Sequence, residues 1–257
     1  MMRMTSLILG CLLLSAGSGY AAETDASALA ELMKQAKYSD GFEVRLNVFV
    51  TQASGAHPAP FKLAVVGQLS ADKQRLLVRG ISPESVRNRY YVAERGSDGR
   101  VRAVENRAAG EFNPYAKMFD SGLVVWDMFS PWWSWPKQTL EGTEQIEDRE
   151  CQILRSVTDD EKSAVREVES CVDQQAKLSL RTRLFDKRHV LLRTTLVKQV
   201  MRKGAGGTLA AKKLALTDAD KMLTNIEVYA GDEQYEISAD TFAALDKLTH
   251  NEQQKAK

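Results

Sequence analysis

Gly41-Phe-Glu-Val-Arg-Leu-Asn-Val-Phe-Val-Thr51 settles the fold class. Phe42, Val44, Leu46, Val48 and Val50 share one parity, and Glu43, Arg45, Asn47, Phe49 and Thr51 share the other. Strict alternation marks a half-buried strand, because successive Cβ atoms point to opposite faces. Upstream, Leu29, Leu32, Met33 and Ala36 recur at helical spacing over Ala26–Lys37, with Asp25 placed to cap. Downstream, apolar runs resume at Phe61–Leu69, Gln74–Arg79, Arg89–Glu94 and Val101–Asn106. Turn residues separate them, as at Ala71-Asp72-Lys73 and Gly96-Ser97-Asp98-Gly99. Ser82-Pro83-Glu84 opens one helical turn between two of these strands.

From Phe112 to Pro136 the alternation stops and aromatic residues gather. All 4 Trp of the chain fall here (Trp126, Trp132, Trp133, Trp135), with Phe129, Met118 and Met128. Strands return at Gln138–Gln145, Cys151–Val157, Val165–Val172, Ala176–Phe185 and Val190–Val200, with Leu209–Leu216 and Leu223–Tyr229 as the last. Residues 202–208 read as a flexible loop, and Ser238–Leu245 as a short capped helix before a polar tail. About eleven strands spaced for hairpins predict an α+β fold, mainly antiparallel β: one strongly curled sheet, or incomplete barrel, with helices packed against or inside it.

Residues 1–22 place Arg3 before the apolar run Leu7–Leu14 and end in small residues, the order of a secretory signal peptide cleaved near Ala21 or Ala22. An alternative makes Ile8-Leu9-Gly10-Cys11 a lipoprotein box with Cys11 acylated, although Leu12-Leu13-Leu14 still follow that cysteine. The remainder reads as one domain over 22–248 and a polar tail over 249–257, with the periplasm as the expected location. With 35 Lys and Arg against 34 Asp and Glu, the chain offers no broad cationic surface to nucleic acid.

Export also frames the two later cysteines. Cys151 and Cys171 lie equally far from Glu161 at the centre of a polar turn. Folding the chain there sets Cys opposite Cys, Leu154 opposite Val168, Val157 opposite Val165 and Arg155 opposite Glu167. That register supports a disulfide closing a loop of about 20 residues, which contributes ~3 kcal/mol. A redox pair would ordinarily sit closer in sequence, at a helix start.

His57, His189 and His250 are isolated from one another and from any ligand pattern, so neither a metal nor a cofactor is expected. The chain has no nucleophile elbow, and Gly204-Ala-Gly-Gly207 opens no nucleotide-binding motif. No catalytic residue is assigned. The aromatic segment has three readings: plain core, a lid over an apolar cavity, or an exposed patch for a membrane or partner. In the lid reading Val44, Leu46, Val48, Leu63, Val65, Leu76 and Val78 form the wall. Trp126, Met128, Phe129, Trp132, Trp133 and Trp135 form the lid or mouth.

The order of parts resembles the LolA/LolB-like superfamily, in particular its outer-membrane lipoprotein-sorting-protein-like group. The resemblance is carried by Leu29-Ala-Glu-Leu-Met33 followed at once by Phe42–Thr51, and by Leu123-Val-Val-Trp-Asp-Met-Phe129 leading to Gly142–Leu154. The hairpin series to Val200 and the ending Ile237-Ser-Ala-Asp-Thr-Phe242 complete it. It implies an incomplete antiparallel barrel with helices closing one mouth over a hydrophobic cavity. It also implies binding of lipid or lipoprotein acyl chains, with an inner-membrane transporter or outer-membrane acceptor as further partners and transient membrane contact. A non-enzymatic regulatory or assembly module, whose concave face holds a protein partner, is the alternative. The carrier's basic-Pro element is absent, its place being taken by Ser70–Arg75, so no functional Arg is carried over.

Overall fold

A computed structural model describes residues 25–108, 110–202 and 207–247. The leader with its cleavage sites, Cys11, the tail and most of the 202–208 loop lie outside these residues. Twelve strands form a single antiparallel sheet: β1 (Ser39–Thr51), β2 (Phe61–Leu69), β3 (Gln74–Ser82), β4 (Tyr90–Arg95), β5 (Val101–Glu105), β6 (Lys137–Ile146), β7 (Arg149–Val157), β8 (Glu167–Asp173), β9 (Leu178–Phe185), β10 (Leu191–Arg202), β11 (Leu209–Asp218) and β12 (Leu223–Asp232). Their spatial order is β5-β4-β3-β2-β1-β12-β11-β10-β9-β8-β7-β6. Two meanders are therefore joined along β1 and β12, and the sheet curls without closing.

The helices are α1 (Ala26–Gln35), α2 (Glu84–Arg87) and α3 (Val125–Phe129), with a 3₁₀ turn at Pro131–Ser134. Asp25 caps α1 as expected, its Oδ1 accepting from the Ser27 amide at 3.2 Å. Of the predicted stripe, Leu29 and Met33 are buried, joined by Ala30, whereas Leu32 is half-buried and Ala36 exposed; α1 packs on the 3₁₀ turn, β6 and β7.

The segment between β5 and β6 links the two edge strands, and the register fixes where it runs. β5 ends with Glu105 opposite Tyr91, and β6 begins with Lys137 opposite Val157. Both points lie on the rim that carries the turn between β11 and β12. The aromatic insert thus leaves and re-enters at one mouth and covers it. It places Met118, Phe119, Leu123, Trp126, Phe129, Trp132 and Trp133 in the main core, together with the inward parity of β1–β5.

The opposite, convex face of β2–β5 is apolar too. Val92 and Val104 pack there under Phe242 and Leu245 of the C-terminal segment, with Leu77, Tyr90 and Ile237 around them. The predicted terminal helix thus packs on the back of the sheet rather than at its mouth, which accounts for the near-continuous apolar runs in these strands.

The hairpin of β7 and β8 corrects the predicted register. Ile153, not Cys151, faces Cys171; Arg155 faces Glu169 and Val157 faces Glu167. The turn is centred one residue later than Glu161, with the Thr158 amide donating to the Arg166 carbonyl at 3.1 Å. A shift of two residues keeps every side chain on its predicted face. It lets Arg155 reach Glu167 at 2.6 Å while Glu169 pairs with Arg183 on β9, so both carboxylates are neutralised. The disulfide nonetheless forms between Cys151 and Cys171, with Cα atoms 5.2 Å apart.

Candidate functional site

The site is the concave side of the curled sheet and the insert that covers it. Period-two alternation turns Leu46, Val48, Leu63, Val65, Leu76 and Val78 inward, where all are buried; Val44 is half-buried. From the insert, Trp126, Phe129, Trp132 and Trp133 are buried, and Met128 and Trp135 are half-buried. All thirteen of these predicted residues belong to or pack against one continuous apolar cluster. Wall and insert meet within this cluster, as where the Phe119 ring stands 6.0 Å from Phe61 of β2, while the 3₁₀ turn that carries Trp132 and Trp133 packs on α1 and β7. A groove of about 640 Å³ lies elsewhere, on the convex face, between Leu77 and Val92 of the sheet and Ala243 and Ala244 of the C-terminal segment.

Aromatic contacts knit the insert together. The ring centroids of Trp126 lie 5.8 Å from Trp132 and 5.2 Å from Tyr115, and Trp132 stands 5.7 Å from Trp133. Farther along the wall, buried Tyr91 meets Phe112 at 4.9 Å and Phe119 at 5.0 Å. Its hydroxyl donates to Glu105 Oε1 at 3.0 Å, and burial pushes the phenol above its ordinary pKa.

Polar ties fasten this cover to its surroundings. Gln138 Nε2 donates to the Trp132 and Trp135 carbonyls at 2.9 and 3.0 Å, and its Oε1 accepts from Ser156 at 2.7 Å. The Gly122 amide donates to Thr224 Oγ1 at 2.8 Å. Lys37, just beyond α1, donates from Nζ to the Met128 carbonyl at 3.1 Å, and burial lowers its pKa to about 7.

A charged cluster stands among these apolar groups. Asp127 of α3 brings Oδ2 to 2.8 Å from Nε of Arg193 on β10, a residue only 7% exposed. Arg193 Nη1 lies 3.7 Å from Asp218 Oδ1 on β11, and Asp218 Oδ2 lies 3.0 Å from Lys117 Nζ. Burial raises the Asp127 carboxyl to about 6, despite the nearby guanidinium, with the charge of Asp218 adding to the rise. Sequence reading missed this cluster. Its trace was a lone carboxylate in the apolar run Val124–Phe129, and Arg193 on the parity of Val197. Neither signal becomes specific until the topology brings α3 over β10.

Among the described residues, no group of three or more His, Cys, Asp or Glu side chains converges as metal ligands would, and no helix is long and apolar enough to cross a membrane. No protein-family model and no curated protein matches the sequence. Solved structures do. A DUF1329 family protein from Desulfovibrio piger superposes with a TM-score of 0.75 at 16% identity, covering 86% of this chain and 97% of that one. A putative outer membrane lipoprotein-sorting protein domain from Vibrio parahaemolyticus gives 0.72 at 12% identity, over 86% and 99%. A LolA superfamily protein from Nitrosomonas europaea gives 0.66 at 13% identity, over 84% and 96%. These likenesses establish the fold, which this chain shares with the three proteins.

Proposed function

We propose that the protein is an exported periplasmic carrier that holds acyl chains, from a lipoprotein or another lipid, between its concave wall and its tryptophan-rich insert. It would move them between membranes or to a transporter. One observation carries the reading: wall and insert converge in a single apolar cluster, and the cover of that cluster is one segment fastened at a few polar points. Because insert and wall share one packed cluster in the closed form, binding requires the insert to lift. The acyl chain then takes the place of the Trp and Phe side chains against the wall. Each methylene buried contributes ~0.8 kcal/mol, so a chain of about a dozen supplies on the order of 10 kcal/mol toward that exchange.

The test is to produce the full chain with its own N-terminus, recover it from the periplasm and identify bound lipid by mass spectrometry. Uptake of a fluorescent fatty acid by the delipidated protein is the second readout. Co-purifying acyl lipid together with saturable uptake is expected. Absence of both overturns the carrier and leaves the protein-binding module as the reading to pursue.

A further inference from the structure

Within the carrier reading, on which this inference rests, the charged cluster beneath α3 points to the kind of acyl ligand. We propose that Arg193 is the docking point for the anionic end of the ligand, and that in the closed form Asp127 of the lid occupies that place.

Arg193 is built into the wall, directly opposite Leu184 of β9 and Asp218 of β11. A guanidinium in such surroundings needs a counter-charge close by. Asp218 is the weaker candidate, since its carboxylate lies nearer Lys117, at 3.0 Å, than Arg193, at 3.7 Å. Lys117 is itself shared with the exposed Asp220 at 2.7 Å. The nearest counter-charge of Arg193 is therefore the lid's own carboxylate at 2.8 Å. The other charged group packed on α3, Lys37, bonds the Met128 carbonyl.

The Asp127–Arg193 contact is close but poorly aimed. Both carboxyl oxygens of Asp127 and the Nε of Arg193 are buried, and none of the three completes a hydrogen bond. Another oxyanion could take the place of Asp127 without the loss of a formed hydrogen bond, and could meet the planar guanidinium fork squarely. The raised pKa of Asp127 points the same way, because this carboxylate gains by returning to water. When α3 lifts for an uncharged chain, Arg193 stays in the wall without its near partner, a state that costs heavily. When it lifts for a chain that ends in a carboxylate or phosphate, the charge is met again. The cluster thereby discriminates for acidic lipids and against neutral ones.

The test compares dodecanoate, dodecyl phosphate, methyl dodecanoate and dodecanol, titrated into the delipidated full chain and followed by tryptophan fluorescence. The two anions are expected to bind at least about tenfold more tightly than the two neutral chains. Arg193→Gln should bring that ratio close to one, whereas Arg193→Lys, which keeps the charge, should retain most of it. A preference for one anion over the other assigns the head group to carboxylate or phosphate and supports the proposal equally. Equal binding of all four by the unaltered protein overturns it while leaving the carrier reading in place, and this comparison decides even if a variant does not fold. A ratio unchanged in folded Arg193→Gln removes the role from this residue. Binding of none of the four removes the carrier reading as well.

Discussion

Asp127 shows how one side chain gives the closed form a pH dependence. Its carboxyl titrates near 6 in the folded chain, against an ordinary value of 3.8. A raised carboxyl pKa means that the folded state holds the proton more tightly. The associated stability is full below the ordinary value and is lost as pH rises through about 6. Lys37 has the opposite sign. Its pKa falls from 10.5 to about 7, so its contribution is present above 10.5 and is lost as pH falls through about 7. Together the two groups make the closed form least favoured between about pH 6 and 7. The stability of Asp127→Asn minus that of the unaltered protein should therefore rise by on the order of 2–3 kcal/mol in the variant's favour between about pH 4 and pH 7. Denaturant titration at each pH measures this difference and cancels the titration of all other groups. A difference independent of pH would show that Asp127 is not held in a desolvating site.

At the scale of elements, the hairpin of β7 and β8 carries the clearest consequence. Cys151 and Cys171 are buried on the convex face with Leu180, in a small cluster apart from the main core. That cluster is too small to hold the hairpin by burial alone, which leaves the cross-link a large share. Replacing both cysteines by Ser should cost ~3 kcal/mol, the value expected for closing a loop of this length. The fold should survive, because β8 also pairs along its length with β9. Melting temperatures with and without a reductant, against the double variant, measure this. The same hairpin shows what sequence can disclose. Parity and partner identity were legible, because apolar residues fix the face of each strand. The two-residue slip was not, because it leaves every face unchanged and is decided by charges arriving from β9, where Arg183 takes Glu169. Likewise the wall residues from Val44 to Val78 and the aromatic cover could be read from alternation and clustering. That the cover lies packed down on the wall could not, because local pattern carries no information about the gap between two apolar surfaces. The Arg193–Asp127 contact was hidden for a related reason: it joins residues 66 positions apart through the curl of the whole sheet.

At the scale of the molecule, the decisive feature is that both meanders share one core under one cover. β1 pairs with β2 on one side and with β12 on the other, so the sheet is continuous from edge to edge. The cluster beneath the insert accordingly draws on both meanders, from Tyr91 on β4 to Leu154 on β7. All 4 Trp of the chain sit in the insert, which makes intrinsic fluorescence a reporter of the cover alone, whereas far-ultraviolet circular dichroism reports the sheet. Without ligand, heating should remove both signals in one transition, because the buried rings of Trp126, Trp132 and Trp133 cannot be exposed without uncovering the wall. With a saturating acyl ligand the two should separate. Fluorescence should shift to the red and become more accessible to acrylamide at a temperature where the sheet signal is unchanged, since the ligand replaces the insert on the wall and spares the strands. If the ligand binds while the tryptophans stay as shielded as before, the chain is accommodated elsewhere. The convex groove beside Leu77 and Val92 would then be the place to look.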